Sequence, residues 1–229
     1  MSKVRGLCVL DVDGTLIEKE VIDMLGRKAN CEQEVSQLTS RAMSGQIDFE
    51  SSLKRRVSLL KAMSVEVFDQ IYKELHLSKN AHEFISILQE HRIAVGIISG
   101  GFVPIVEKLA NSLGIHLFAA NQLEINNGRL TGRLIGQVIT REVKEEIFLQ
   151  WATQLEISLD RTIAIGDGAN DLKMLKKAGI GVAFCAKDIL KKEIKLHIDE
   201  RDLVKVLDLI DFLYREGEVY ENCSCARFF

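Results

Sequence analysis

Apolar and polar positions follow different patterns along the chain, and these patterns divide it into three parts. The run from Val4 to Leu10 is short, rich in branched residues and stops at Asp11, which is typical of a buried β-strand. Between about Glu18 and Leu77 the apolar residues recur at helical spacing, which predicts four helices and no strand. Beyond this block, apolar runs and amphipathic segments alternate, which predicts a parallel sheet covered by helices on both faces.

The third part supplies most of the predicted sheet. An Asn127-Gly128 turn between two apolar runs predicts a β-hairpin. We predict strands at 93–98, 162–165, 180–184 and 196–198, and helices at 81–91, 103–113, 142–155, 172–178 and 203–213.

The predicted fold is α/β, with a three-layer Rossmann-like core around a parallel sheet. The helical block interrupts this core after the first strand, so we expect it to form a small helical-bundle cap. The expected domains are a core at 1–16 and 79–213, a cap at 17–78 and a C-terminal tail at 214–229.

Composition excludes several functional classes. The net charge of -3 provides no basic excess to neutralise phosphates, which disfavours a nucleic-acid partner. The spacing of the five cysteines suggests neither a disulfide framework nor paired metal-binding knuckles, and the Cys223-Ser-Cys225 pair favours a flexible tail over a metal or redox site. No segment approaches the roughly 18 apolar residues that a membrane span requires, and the N-terminal apolar run is too short for a signal peptide. We therefore expect a cytoplasmic protein with no membrane partner.

Three polar residues stand directly after apolar, strand-like runs. They are Asp11, Ser99 and Asp167. In an open parallel sheet, ligands bind outside the carboxyl ends of the strands, so this architecture would bring the three residues to one place.

The first motif, Asp11-Val12-Asp13-Gly14-Thr15, combines two carboxylates with a glycine turn. Asp11 is ionised at pH 7 and can attack phosphorus as a covalent nucleophile, provided that a cation offsets the charge of the phosphate. Asp13 is placed to protonate a leaving alkoxide and then to deprotonate water. The alternative interpretation is a polar turn that closes a strand.

The remaining elements are weaker when taken singly. Ser99-Gly100-Gly101 forms either an anion-binding nest or a plain turn. Lys144 could neutralise the nucleophile and the phosphoryl oxygens, although most lysines lie on the surface and Arg141 is a rival. The string from Gly166 to Asp171 is suited to hold magnesium, or else its Asn170 or Asp171 caps the next helix.

In this order the four elements resemble the haloacid dehalogenase superfamily of aspartate-dependent phosphatases, and within it the phosphoserine phosphatase family. The resemblance extends from Leu7 to about Asp208, and in that family a small helical bundle follows the first motif. The family's signature glutamate falls on Glu20 and its signature arginine on Arg56. Gly14 departs from the serine that is common in the family, which leaves substrate preference more open than catalysis.

The resemblance implies a role for each matching residue. Asp11 would be the nucleophile and a Mg²⁺ ligand, Asp13 the general acid/base and a ligand through its carbonyl, Asp167 the third ligand, and Asp171 a support for the metal. Ser99, the Gly100 N–H and Lys144 would hold the phosphate, Lys144 also serving catalysis. Asn170 would contact the substrate, Glu20 its ammonium and Arg56 its carboxylate, while Met43 and Phe49 would line the pocket.

The function that this resemblance implies is Mg²⁺-dependent hydrolysis of O-phospho-L-serine to serine and phosphate, in serine biosynthesis, through an aspartyl-phosphate. The partner would be a phosphorylated amino acid, and the oligomeric state stays open. Two alternatives remain: a phosphatase for another small phosphomonoester, and a non-catalytic module that binds phosphate.

Overall fold

The structure is a computed structural model, and it describes residues 4–43 and 46–210. Met43 is described only as the last residue of its helix. The predicted tail at 214–229 lies outside the described residues.

A seven-stranded sheet forms the centre of the molecule, with the order β4-β3-β2-β1-β5-β6-β7. All neighbouring strands are parallel except the hairpin pair β3 and β4, which turns at Asn127-Gly128 as the sequence predicts. The strands are β1 (Gly6–Leu10), β2 (Ile93–Phe102), β3 (Leu117–Asn126), β4 (Arg129–Ile135), β5 (Thr162–Gly166), β6 (Ile180–Phe184) and β7 (Leu196–Ile198).

Helices cover both faces of the sheet, which gives three layers. Side chains alternate along β1, so that Cys8 and Leu10 enter one apolar cluster and Leu7 and Val9 the other. The first cluster also holds α5 (Ala81–Glu90) and α6 (Val103–Ser112); the second holds α7 (Arg141–Gln154), α8 (Leu172–Lys177) and α9 (Asp188–Lys191). The predicted α/β class with a Rossmann-like core is confirmed.

Four helices lie between β1 and α5, in the region where the sequence predicts four. They are α1 (Val21–Lys28), α2 (Glu32–Met43), α3 (Phe49–Ser58) and α4 (Val67–Glu74). An isolated antiparallel pair between Ile17 and Leu77 sets the two ends of this segment side by side. The domain boundaries at 17 and 78 stay predictions.

The connection between α3 and α4 is tied to the β3–β4 hairpin through backbone hydrogen bonds. The Ala62 N–H donates to the Leu130 carbonyl at 2.8 Å, and the Leu130 N–H donates to the Met63 carbonyl at 2.9 Å. Farther along, the Val65 N–H donates to the Gly128 carbonyl at 3.0 Å. The inserted helices are therefore fixed to the sheet at the end of α3.

Strand β2 is longer than predicted. The sequence suggests that it stops at Ile98, yet it continues to Phe102, and its pairing with β3 shifts between these two residues. Ser99-Gly100-Gly101 is therefore an irregular part of the strand rather than the turn after it. Glycine has low strand propensity, so the apolar pattern ends before the strand does.

The last predicted helix, at 203–213, is also corrected. The described part is a 3₁₀-helix, Leu203–Leu209, in which the Ile210 N–H donates to the Leu207 carbonyl at 3.0 Å. Turns of the i→i+3 type are frequent in short segments of this kind, which connect or end other elements. Residues 211–213 lie outside the described residues.

Among residues 4–43 and 46–210, no helix combines the length and apolarity needed to cross a bilayer. The cytoplasmic location stays a prediction.

The packing of α7 on β2 generates a stability prediction. A Cβ on Gly96 would lie 2.6 Å from Cζ3 of Trp151, so we expect Gly96→Ala to destabilise the protein by about 1–3 kcal/mol through overpacking. In a Trp151→Leu background the same change should cost less, because the ring is gone. Urea unfolding of both single variants and the double variant measures this coupling; strictly additive costs would contradict the packing.

Candidate active site

The sheet order brings the three polar strand ends together. Asp11 follows β1, Asp167 follows β5, and Ser99 lies in β2, so the residues come from three adjacent strands. Carboxylate oxygens of Asp11, Asp167 and Asp171 all lie within 4.8 Å of one another. The predicted convergence at the carboxyl edge of the sheet is therefore present.

Lys144 lies between two of these carboxylates. It is 0% exposed, and its Nζ donates to Asp11 Oδ1 at 2.5 Å and to Asp171 Oδ1 at 2.7 Å. Burial lowers the pKa of Lys144, but the two carboxylates outweigh this effect and hold it above its ordinary value. The rival cation, Arg141, bonds Glu142 at 2.8 Å instead.

Two glycines allow the motif around Asp167 to pack closely. Asp171 Oδ2 accepts from the Gly168 N–H at 3.1 Å, and a Cβ on Gly166 would lie 2.5 Å from Asp171 Cγ. Both oxygens of Asp171 are thus engaged, one by the backbone and one by Lys144. This arrangement suits a supporting role at the edge of the cluster.

The charge of the cluster fits a divalent cation. Burial raises the pKa of Asp11 well above its usual range, with Asp171 adding to the effect. The pKa of Asp167 rises to about 7, first through burial and then through Asp171. When all three carboxyl groups are ionised, they and the ammonium of Lys144 leave two negative charges. Among the described residues, no hydrogen-bond donor engages Asp11 Oδ2 or the carboxylate of Asp167, so hard oxygens remain free for a cation such as Mg²⁺.

Asp13 faces away from this cluster. Its Oδ1 accepts from the Val21 N–H at 2.8 Å, at the start of α1, and its Oδ2 accepts from Ser99 Oγ at 3.4 Å. Burial, followed by the nearby charge of Glu20, raises the pKa of Asp13 to about 7. A carboxyl group with this pKa can donate and accept a proton near neutral pH.

The Ser99–Gly101 segment is held by Asn121, a residue that no sequence motif indicates. Ser99 Oγ accepts from the Gly101 N–H at 2.8 Å. The buried amide of Asn121 on β3 donates from Nδ2 to the Gly100 carbonyl at 2.8 Å and accepts at Oδ1 from the Ile139 N–H, also at 2.8 Å. A single asparagine in an apolar strand gives no functional signal.

Two further residues that no sequence motif indicates hold the first motif. Arg201 Nη1 donates to the Gly14 carbonyl at 2.8 Å, and Ser78 Oγ donates to the Thr15 carbonyl at 2.6 Å. Gly14 has φ of +81° and packs against Asp167, so this turn requires a residue that tolerates the left-handed region. Arg201 lies 187 residues from Gly14 and belongs to no recognisable motif.

A cavity of about 700 Å³ lies between this edge of the sheet and the inserted helices. Ser99, Lys144 and Asp171 are buried beside it and do not line it. From the core, the predicted site residues that line it are Asp11, Asp13, Gly100, Asp167 and Asn170; from the inserted helices and their connections they are Glu20, Phe49 and Arg56. Met43 is also predicted to line the pocket, and its side chain is outside the described part of the structure.

Arg56 is a buried cation with weak partners. It is 6% exposed, its Nε lies 3.4 Å from the Ser52 carbonyl and its Nη1 lies 3.3 Å from Thr39 Oγ1. No carboxylate of the described residues lies within 4.0 Å of its guanidinium. Burial lowers its pKa, against the attraction of Glu20. Such a guanidinium on a cavity wall is suited to bind an anion.

Glu20 supplies a negative charge to the same cavity. The side chain of Glu20 is exposed and faces the cavity. The surrounding cavity walls partly desolvate its carboxyl group, which raises its pKa. No hydrogen-bond donor of the described residues engages its side chain. Phe49 contributes an apolar surface, because its Cζ would lie 3.6 Å from a Cβ on Gly100. Opposite the acidic cluster, the cavity wall thus includes an anionic group in Glu20, a cationic group in Arg56 and an apolar group in Phe49.

Comparison with known proteins identifies the relatives of this chain. It is 48% identical over 209 residues to the phosphoserine phosphatase of Lactococcus lactis, covering 91% of this chain and 97% of that one. It is 44% identical to the phosphoserine phosphatase of Streptococcus thermophilus, with 92% and 98% covered. A solved structure described as a phospho-aspartyl intermediate analogue of phosphoserine phosphatase superposes with a TM-score of 0.85, at 41% identity, with 91% and 100% covered.

The family model described as haloacid dehalogenase-like hydrolase matches residues 6–179, which include every motif of the acidic cluster. This match and the relatives agree with the geometry of the site and with the resemblance seen in the sequence. The chain therefore belongs to the haloacid dehalogenase-like hydrolases, and it is an enzyme of the phosphomonoester hydrolase type.

Proposed function

We propose that this enzyme hydrolyses O-phospho-L-serine to serine and phosphate with the help of Mg²⁺, as a step of serine biosynthesis. The observation that carries the proposal is the distribution of charge in one cavity. An acidic cluster with Lys144 lies on the core side, while Arg56 and Glu20 line the side of the inserted helices. Phosphoserine has the complementary ends: a phosphate, and an ammonium beside a carboxylate.

The amino-acid end of the substrate is assigned to the inserted helices. The guanidinium of Arg56 binds the substrate carboxylate with two parallel hydrogen bonds, and Glu20 pairs with the ammonium. Phe49 and Asn170 complete the enclosure around the substrate. The similarity to phosphoserine phosphatases supports this assignment.

The phosphate end is assigned to the core. Ser99 and the Gly100 N–H bind the phosphoryl oxygens, and Lys144 balances the charge of Asp11 beside them. Asp11, the Asp13 carbonyl and Asp167 would hold Mg²⁺, with Asp171 supporting the cluster. A bound Mg²⁺ neutralises the phosphate and makes it accessible to an anionic nucleophile.

The reaction then proceeds in two displacements at phosphorus. A carboxylate oxygen of Asp11 attacks, the bond from phosphorus to the serine oxygen breaks, and Asp13 gives its proton to the leaving oxygen. In the second step Asp13 takes a proton from water, the water oxygen attacks phosphorus, and the bond to Asp11 breaks. Asp11 and Asp13 return to their starting states. The pKa of Asp13, raised to about 7 by burial and Glu20, suits both transfers.

The segment 17–78 is proposed to act as a cap over this chemistry. It contributes Glu20, Phe49 and Arg56 to the cavity, and closing it over a polar substrate would exclude bulk water from the aspartyl-phosphate.

Asp11→Asn tests the nucleophile. We expect kcat for phosphoserine to fall by about 10³-fold or more, because an amide oxygen is a poor nucleophile toward phosphorus. Phosphate release with and without Mg²⁺ measures the rate, and mass spectrometry after acid quench detects the phosphorylated Asp11 peptide in the wild type only. Near wild-type turnover of a folded Asp11→Asn variant would sink the mechanism.

Arg56→Ala tests the carboxylate contact. We expect kcat/KM for phosphoserine to fall by about 100-fold, and the value for a simple aryl phosphate to change little, because that substrate has no carboxylate. Phosphoethanolamine and phosphothreonine extend the panel. The matched control is Arg55→Ala, an exposed arginine on the same helix. Equal losses on phosphoserine and the aryl phosphate would contradict the assignment.

Asp167→Asn tests the cation site through stability. The pKa of Asp167 is raised from 3.8 to about 7, so the metal-free folded state keeps a proton that the unfolded chain has lost. The contribution of this group to stability therefore falls as the pH rises from about 4 to 7, and at pH 8 its charge is fully destabilising. Without metal at pH 8, we expect Asp167→Asn to be more stable than the wild type by about 2–4 kcal/mol.

Saturating Mg²⁺ should stabilise the wild type strongly and the Asp167→Asn variant weakly. Thermal and urea unfolding, in chelator and in Mg²⁺, measure both effects. The control is Asp160→Asn, an exposed carboxylate before the other end of β5. Equal Mg²⁺ stabilisation of the wild type and Asp167→Asn would place the cation elsewhere.

A further inference from the structure

We propose that Asn121 is a positioning residue that sets the affinity of this enzyme for the phosphate group, by fixing the orientation of the Gly100–Gly101 peptide. This inference rests on the proposed function, because it takes Ser99 and Gly100 as the phosphate-binding groups. Asn121 itself touches neither the cavity nor the acidic cluster.

The side chain of Asn121 is buried and fully used. It is 1% exposed, and each end of its amide makes a hydrogen bond of 2.8 Å. The orientation of the amide is fixed by its partners: the Gly100 carbonyl can only accept, and the Ile139 N–H can only donate. Turning the amide over would leave two buried backbone groups without partners.

This contact is needed where the regular sheet ladder fails. Between Ile98 and Phe102, β2 has more residues than the facing stretch of β3 from Ala119 to Asn121, so the register shifts. Gly100 lies within this irregular stretch. Adjacent glycines leave the peptide between them free to rotate, and backbone pairing does not fix it. The Asn121 amide provides the constraint.

Fixing the Gly100 carbonyl also fixes the Ser99 hydroxyl, which is assigned to the phosphate. In a trans peptide the carbonyl and the following N–H point in opposite directions, so the bond to Asn121 directs the Gly101 N–H away from it. That N–H reaches Ser99 Oγ at 2.8 Å. With its oxygen accepting there, the Ser99 hydroxyl directs its own hydrogen toward the site, where Asp13 Oδ2 lies 3.4 Å away.

The second hydrogen bond of the Asn121 amide holds the segment that leads to Lys144. Ile139 directly precedes Thr140, whose side chain accepts from the Val143 N–H as the N-cap of α7. Lys144 lies in the first turn of that helix. One buried side chain on β3 therefore joins the segment that carries Ser99 to the segment that carries Lys144, and both are assigned to the phosphate.

The Asn121→Asp variant distinguishes the two hydrogen bonds of the Asn121 amide. It keeps an acceptor for the Ile139 N–H but places a carboxylate oxygen against the Gly100 carbonyl, which drives that peptide out of its orientation. We expect the Kd for inorganic phosphate and the KM for both phosphoserine and an aryl phosphate to rise by about tenfold, because all three share the phosphate end. Asn121→Ser removes most of both contacts in a smaller side chain and tests the same point if Asn121→Asp does not fold.

Thr162→Val is the matched structural control. Thr162 is 0% exposed and also bridges two segments, because its Oγ1 donates to the Leu159 carbonyl at 2.6 Å and accepts from the Gly179 N–H at 3.1 Å. It begins β5, at the edge of the sheet opposite the site. We expect Thr162→Val to lower the unfolding temperature while leaving phosphate binding within twofold of the wild type.

Calorimetric titration of each Mg²⁺-loaded protein with inorganic phosphate, steady-state kinetics and thermal unfolding together decide the matter. Asn121 variants that lose stability but keep phosphate Kd and KM within twofold of the wild type, as Thr162→Val should, would overturn the positioning role. A wild type that neither binds phosphate nor releases it from any ester would refute the proposed function, and this inference with it. If the wild type is normally active and the Asn121 variants keep its phosphate Kd and KM, only this inference is refuted.

Discussion

The buried ion pair of Lys144 with Asp11 and Asp171 is the interaction on which the site depends. A carboxylate taken out of water is strongly destabilised unless a cation and hydrogen bonds compensate it. Lys144 bonds both carboxylates, and the Gly168 N–H takes the remaining oxygen of Asp171. One charge cannot balance three acids, so the cluster retains its attraction for a divalent cation while the fold remains stable.

The sequence was sufficient to predict that Asp11 and Asp167 lie close together, because both residues stand directly after strands. An apolar run that stops at an aspartate predicts both a buried strand and a polar group at its edge, and this holds for Asp11 and Asp167. The topology rule for parallel sheets then brings distant motifs together. Lys144 was recognisable only by its place in the order of motifs, since a lysine alone carries no such signal. Its burial between two carboxylates depends on the packing of α7.

The residues that escaped prediction act through contacts between distant parts of the chain. Asn121 occupies one position in a strand, and nothing in its neighbours reveals that its amide meets Gly100 and Ile139. The irregular end of β2 was missed because glycine breaks the apolar pattern without ending the strand. The last helix was predicted too regular, since periodicity distinguishes poorly between an α-helix and a 3₁₀-helix over so few residues.

The hydrogen bond from Arg201 to the Gly14 carbonyl has a consequence for how the molecule is made. The arginine that holds the turn after the first strand is translated 187 residues later than the turn itself. A partly synthesised chain therefore carries its first motif without this restraint. Contacts of such long sequence separation form late and slow folding. The first motif therefore acquires this hydrogen bond only after Arg201 has been translated.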